Sequence, residues 1–104
     1  FLYSACMIFV YPSICESFGM TLVEAMACGA PILTSRLEPM LEICADAAVY
    51  FNPMKPDEMA EVIFKALRDQ QLMSALTKKS LERIECFSWE NTAKKTFKIF
   101  ESLA

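Results

Sequence analysis

The sequence predicts an α/β fold built on a parallel sheet, and three observations lead there. Short apolar runs alternate with helical patterns over the first two thirds of the chain, the order that sets strands side by side with helices on their faces. The runs are continuous rather than alternating, as in strands covered on both sides. Finally, 55% of the 104 residues are hydrophobic and 12% aromatic, above the usual apolar share of a soluble domain and incompatible with a disordered chain.

The elements follow in order. Leu2-Tyr3-Ser4-Ala5 reads as the tail of a helix, and Met7 to Tyr11 as a central parallel strand. Pro12-Ser13 ends that strand, because proline cannot continue a ladder. A loop runs to Gly19, a short helix covers Met20 to Cys28 with Leu22, Val23, Met26 and Ala27 apolar, and Gly29 suits the left-handed position after it. Pro31 to Thr34 is the second strand. After the loop Ser35 to Pro39, a short helix spans Met40 to Cys44, and Ala48 to Phe51 is the third strand. Pro56-Asp57-Glu58 opens a helix with proline and acids in its first turn. Met59, Val62, Ile63, Ala66 and Leu67 form its inward face. Another helix runs from Gln71 to Ile84, with Leu72, Leu76 and Leu81 inward. Ser88 caps a last helix from Trp89 to Ser102, whose stripe of Ala93, Phe97 and Phe100 is expected to pack in the core. Three strands make a thin sheet, and the chain begins on Phe1 and enters a strand almost at once. It is therefore expected to be part of a longer polypeptide whose remaining strands lie upstream.

Charge and composition exclude several function classes. The net charge is −3: residues 1–54 carry five acids and one cation, Arg36, whereas residues 55–104 carry nine cations and eight acids. There is no basic stripe for a nucleic-acid backbone, so no nucleic-acid partner is expected. There is no histidine, which rules out histidine-based triads and metal sites within this segment. Cys6, Cys15, Cys28, Cys44 and Cys86 form no CxxC pair and read as small hydrophobes of a reduced, cytoplasmic protein. The longest apolar stretch, Ala5 to Tyr11, is far below the roughly 20 residues of a membrane span. The lysines of the late helices are interrupted by Glu82, Glu85 and Glu90, the pattern of a solvated face.

The chemistry concentrates between the first two strands. Glu16 and Glu24 stand eight residues apart in Glu16-Ser17-Phe18-Gly19-Met20-Thr21-Leu22-Val23-Glu24. Ligands of open α/β sheets bind in loops beyond the carboxyl ends of strands, and carboxylates there suit hydroxyl recognition, as on a sugar or a ribose. The segment enters a helix, so its leading amides lack intrahelical partners and favour an anion. Gly19 permits close backbone approach, and Thr21 can add a hydroxyl donor. The apolar neighbours Leu22, Val23, Ala25 and Met26 predict that Glu24 is buried. Read from the residues alone, a phosphate cradle with hydroxyl-binding acids stands beside a plain connecting loop with two solvated acids.

The whole ordered phrase adds to this. ESFGMTLVEAMACGAPIL resembles the Glu-x7-Glu phrase of the C-terminal domain of retaining GT-B glycosyltransferases, the group-1 family (family four), E-G-F-G-L-x-L-x-E-A-M-A-x-G-x-P-V. LYSACMIFVYPS upstream, and SRLEPMLEICADAAVYFNPMKPDEMAEVI and FSWENTA downstream, are similar to further family phrases, so the resemblance covers nearly all of the chain. Ser17 stands where the family commonly has Gly, and Cys6-Met7 where it has an Asp after the helix-end Ala. The resemblance implies the second half of a Rossmann-like parallel sheet flanked by helices, followed by a helical C-terminal segment. It makes residues 1–104 a partial nucleotide-sugar-binding domain. The implied activity is retaining transfer of a hexose from a nucleotide-diphosphate sugar to a sugar or lipid acceptor, the acceptor being held by an absent N-terminal domain.

The resemblance also assigns roles. Glu16 is the acid near the transferred sugar. Phe18 and Gly19 contact donor-sugar hydroxyls through the backbone, Met20, Thr21 and Leu22 approach the diphosphate, and Glu24 binds the ribose. No cofactor and no metal is implied. The family's Arg and Lys that grip the phosphates lie upstream, which leaves this segment expected to be inactive alone. Peripheral contact with the inner face of a membrane has room in the full protein. Two alternatives stand beside this reading: a non-catalytic module that keeps the fold for binding or assembly, and a relative with changed chemistry such as a phosphorylase or epimerase. Intact Glu16 and Glu24 favour the transferase.

Overall fold

A computed structural model describes all of residues 1–104. Its elements are α1 (Leu2–Ala5), β1 (Phe9–Tyr11), α2 (Met20–Ala27), β2 (Ile32–Ser35), α3 (Glu38–Cys44), β3 (Ala48–Phe51), α4 (Pro56–Arg68), α5 (Gln70–Ile84) and α6 (Trp89–Leu103). The three strands pair in the order β1-β2-β3, all parallel, with Phe9 opposite Ile32 and Ile32 opposite Ala48. The α/β class expected from the alternating pattern is the fold observed.

Successive strand residues point to opposite faces, and each face has its own core. Phe9 and Tyr11, Ile32, and Ala48 and Tyr50 face a layer made by α2 and α3, around Leu22, Ala25, Met26, Met40, Ile43 and Cys44. Val10, Leu33, and Val49 and Phe51 face the opposite layer, with Met59, Val62, Ile63 and Ala66 of α4 and Leu72, Met73 and Leu76 of α5. The far end of α5 returns to the first layer through Ile84 and, just beyond it, Phe87. Ser80 Oγ donates to Ala30 O at 3.3 Å in the buried seam between α5 and the α2–β2 connection.

Several boundaries moved. β1 begins at Phe9, because Met7 is exposed, and it lies at the edge of the three-stranded sheet and is only half-buried along its length. The central, fully buried strand is β2. Helix α3 starts two residues before the expected Met40, with Glu38 in its first turn and Pro39 accommodated there, where a missing N–H costs nothing. Gly29 adopts φ 71 after α2, the left-handed conformation expected of it. Asp69 and Ser88 cap the last two helices: Asp69 Oδ1 accepts from Leu72 N at 2.9 Å and Ser88 Oγ from Asn91 N at 3.0 Å.

The expectation for the last helix is corrected. No residue of α6 is buried, and Phe97 and Phe100 are 62% and 65% exposed, so they are not core. The stripe exists, since Trp89, Ala93, Phe97, Phe100 and Leu103 share one side at helical spacing. Nothing within residues 1–104 covers it. Leu67 and Leu81, also expected inward, are exposed on the flanks of their helices. The five cysteines are unpaired; Cys44 is buried and Cys6 half-buried, but Cys15, Cys28 and Cys86 are exposed, which overturns a uniform packing role for them. No helix is long and apolar enough to cross a membrane.

Candidate functional site at the carboxyl end of the first strand

Because all three strands are parallel, their carboxyl ends share one side of the sheet, and the loop of residues 12–19 leaves from that side. Thr34 Oγ1 and Ser35 Oγ of β2 both reach Tyr11 O, at 3.1 and 3.4 Å, fixing the point where β1 ends and the loop begins.

Glu16 is half-buried in this loop. Its Oε1 accepts from the Tyr11 hydroxyl and, at 3.1 Å, from Ser13 Oγ. Cys15 O lies 3.0 Å from the same hydroxyl, so the single Ser13 proton is shared between the carboxylate and the turn that carries it. The Tyr11 phenol is raised above the ordinary tyrosine value, first by its hydrogen bond to Glu16. The Thr21 hydroxyl nearby works in the opposite sense but more weakly. Thr21 Oγ1 is itself buried and closes no hydrogen bond of normal geometry. It is therefore not open to a ligand as the sequence suggested.

The chain then turns through Gly19 at φ 93, left-handed, and enters α2 with no side-chain cap. A Cβ there would meet Leu22 Cδ1 at 3.4 Å and Ile43 Cδ1 at 3.7 Å, ordinary contacts, so the backbone conformation rather than space requires glycine. The amides of Ser17, Phe18 and Gly19 donate to no backbone acceptor, and the first amide of the turn to do so is Leu22, to Gly19 O at 3.0 Å. With Met20 and Thr21 at the head of the helix, where no intrahelical acceptor exists, this stretch is an uncapped set of donors. Phe18 and Met20 are 43% and 44% exposed. Leu22 differs: its side chain is wholly buried and its amide is bonded, so it offers a ligand nothing and is set aside as a contact residue.

Glu24 is exposed, which corrects the expectation of burial. Apolar neighbours in sequence do not surround a helical residue. At 100° per residue the buried Leu22, Ala25 and Met26 occupy one arc, and Glu24 points out of it. Its one protein partner is Tyr3, whose hydroxyl lies 3.4 Å from Oε2. The Tyr3 phenol is raised by partial burial and then by Glu24. An aromatic ladder connects the two acids' partners: Tyr3 meets Phe9 edge-on at 5.3 Å, and Phe9 stacks near Tyr11 at 6.0 Å.

Arg36 leaves β2 at this end of the sheet, but its guanidinium lies over the Tyr50 ring at 5.7 Å, on the β3 side. Behind the loop, Phe18 contacts Phe87 edge-on at 6.3 Å, and Arg83 lies 5.3 Å from the Phe87 ring. Arg83 also donates from Nε to Ile43 O at 2.9 Å and from Nη2 to Glu42 O at 2.6 Å. A groove of about 420 Å³ opens beside Phe18, Met20 and Val23, with Phe87, Trp89 and Lys95 opposite.

Of the residues named from the sequence, Glu16, Phe18, Gly19 and Met20 come together in the loop and at the head of α2, whereas Glu24 lies further along α2 against Tyr3, which packs on the first residue of β1. Sequence reasoning missed Tyr11, Ser13, Tyr3 and Phe87. Tyr11 had a legible signal, a hydroxyl-bearing residue at the last position of a strand, where side chains meet the ligand loop. Phe87 had none, since its partner lies far away in the chain.

Residues 1–83 match the family described as glycosyl transferases group 1. The O-antigen chain mannosyltransferase B of Escherichia coli is 34% identical over 103 residues, covering 99% of this chain and 27% of that protein. The serotype-specific mannosyltransferase WbdA of the same organism is 38% identical over 92 residues, covering 88% of this chain and 11% of its own length. Among solved structures, a sucrose-phosphate synthase from Thermosynechococcus elongatus superposes with a TM-score of 0.87 at 30% identity, covering 98% of this chain and 26% of that one. The chain thus spans about a quarter or less of the proteins it matches.

Proposed function

This chain belongs to the group 1 glycosyl transferases, and from that premise we propose that it forms the donor-sugar half of the active site in a longer enzyme. The enzyme moves a hexose from a nucleotide-diphosphate sugar to a sugar or lipid acceptor with retention at the anomeric carbon. The observation that carries the reading is the Glu16 loop. A half-buried carboxylate held by two hydroxyls stands next to an uncapped helix start, beyond the carboxyl end of a parallel strand.

Each part has a chemical task in that reaction. As the bond to the leaving group breaks, positive charge develops at the sugar ring and negative charge on the diphosphate. Fixed groups aimed at those charges lower the barrier without reorganising. Glu16 answers the sugar, as hydrogen-bond acceptor and as a negative charge near the ring. The free amides of residues 17–21 and the positive end of α2 answer the phosphate oxygens. Glu24, exposed on the next turn, can accept from two neighbouring hydroxyls of the ribose.

Cations are the scarce part. Arg36 is engaged at Tyr50 and Arg83 at the carbonyls of Glu42 and Ile43, and Lys95 is the one lysine lining the groove beside Met20. Further cationic side chains for the diphosphate therefore come from outside residues 1–104, and the acceptor is held there too. Calorimetric titration of the full-length polypeptide with its nucleotide sugar tests the assignment. Glu24→Ala is expected to lose nucleotide affinity while Glu16→Ala keeps it and loses turnover. Equal and negligible effects of the two substitutions overturn the reading.

A further inference from the structure

We propose that Tyr11 and Ser13 are positioning residues that hold the Glu16 carboxylate in one orientation, loading one of its oxygens so that the other is left for the sugar. The inference rests on the assignment of Glu16 to the donor site and deepens it.

The geometry is asymmetric. Tyr11 donates to Oε1, Ser13 shares its one proton between Oε1 and Cys15 O, and no protein group donates to Oε2. A carboxylate carries about four lone-pair sites on two oxygens. Here the protein occupies one oxygen from two directions and leaves the second free. The two donors differ in stiffness. Tyr11 is the last residue of β1, its ring set on the sheet face beside Phe9 and its carbonyl clamped by Thr34 and Ser35. Ser13 lies within the loop and also bonds Cys15 O. One donor thus refers the carboxylate to the rigid sheet and the other to the loop, so its orientation is restrained before a ligand arrives. That is the preorganisation an electrostatic role requires.

Thr21 fits the same arrangement. The Tyr11 hydroxyl donates its hydrogen bond to Glu16, which leaves the oxygen's lone pairs open, and the buried Thr21 hydroxyl beside it has no other partner. A small rotation closes a relay from the first turn of α2 through Tyr11 to Glu16, tying the acid to the helix that carries the amide donors.

The test uses the full-length polypeptide with Tyr11→Phe, Ser13→Ala and Glu16→Gln, and with Tyr50→Phe as a comparator. Tyr50 also loses a hydroxyl bond, to Ala45 O at 2.6 Å, and it stands two strands from Tyr11 with no bond to Glu16. Tyr11→Phe keeps the ring and its packing. It is expected to lower kcat about tenfold, the equivalent of about 1.4 kcal/mol, with KM for the nucleotide sugar within about twofold. Ser13→Ala is expected to lower kcat about threefold. Tyr50→Phe is expected to lower Tm and leave kcat unchanged. In the ultraviolet titration of the phenols, Glu16→Gln should bring Tyr11 back toward the ordinary tyrosine value. A raised KM at constant kcat, or wild-type turnover in both hydroxyl variants while Glu16→Gln is dead, overturns the positioning role alone. Full activity of Glu16→Gln overturns the donor-site assignment beneath it.

Discussion

Replacing Arg83 with Met should loosen the fold and the site loop together. Helix α3 ends with the carbonyls of Glu42 and Ile43 lacking helical partners, as the last carbonyls of any helix do. Arg83 supplies both bonds, at 2.6 and 2.9 Å, and places its charge at the negative end of the helix. A hydrogen bond from a charged donor contributes about 1.5–3 kcal/mol. Arg83 is half-exposed, so the lower end applies to each bond, with a few tenths more from the helix dipole and the Phe87 ring. The total is about 3 kcal/mol. Met retains the aliphatic stem, so the loss is polar rather than packing. Urea unfolding followed by far-ultraviolet circular dichroism measures it, and a thermal scan should fall by roughly 10–20 °C. Lys79→Met is the control. Its partner Asp46 lies 3.0 Å away, but that pair is exposed and screened by solvent, so its loss should change stability little. Because Phe87 stands between Arg83 and Phe18, the Arg83 variant should also weaken donor binding in the full-length polypeptide, whereas the control should not. A stability loss below 1 kcal/mol, or one equal to that of Lys79→Met, refutes the clamp.

Three further outcomes are expected. Ala45 ends α3 at φ 48, a conformation strained for any residue with a Cβ, so Ala45→Gly should raise stability by about 0.5–1 kcal/mol despite the freer unfolded chain; a lower urea midpoint contradicts this. Lys79, bonded to Asp46, holds that carboxyl below its ordinary value of 3.8. The pair's stabilisation is therefore complete above that value and lost as pH falls through the folded-state value beneath it. Asp46→Asn should flatten this part of the acid unfolding curve, and an unchanged curve would refute the linkage. Burial pushes the Cys44 thiol up to about 11, so a thiol reagent at neutral pH should label Cys15, Cys28 and Cys86 in the native chain and Cys44 only after unfolding. Rapid native labelling of Cys44 would show that the layer under α3 is open.

How much of this was legible in the sequence depends on whether a feature is local. Strand β3, the Ser88 cap and the left-handed Gly29 follow from residues next to one another, and each stands where the pattern put it. The loop of Glu16 was legible for the same reason, since strand end, proline, glycine and helix start are consecutive. Burial was less legible because it is a property of surroundings. Glu24 has apolar neighbours on both sides in sequence yet projects outward from α2, and Phe97 and Phe100 keep helical spacing with nothing in residues 1–104 to cover them.

The contacts that hold the loop were invisible for a related reason. The Phe18–Phe87 contact joins residues that only the return of α5 across the sheet brings together. The Tyr11–Glu16 bond spans five residues, but its direction depends on a strand ending at Tyr11, and Thr34 and Ser35 of the neighbouring strand secure that end. The sequence thus identifies the groups available for chemistry, and the sheet decides which way they point. For that reason the sharpest tests remove single hydroxyls, at Tyr11 and Ser13, and leave the acids intact. They alter the aim of Glu16 without altering its charge, and only a site that works by aim will respond in kcat.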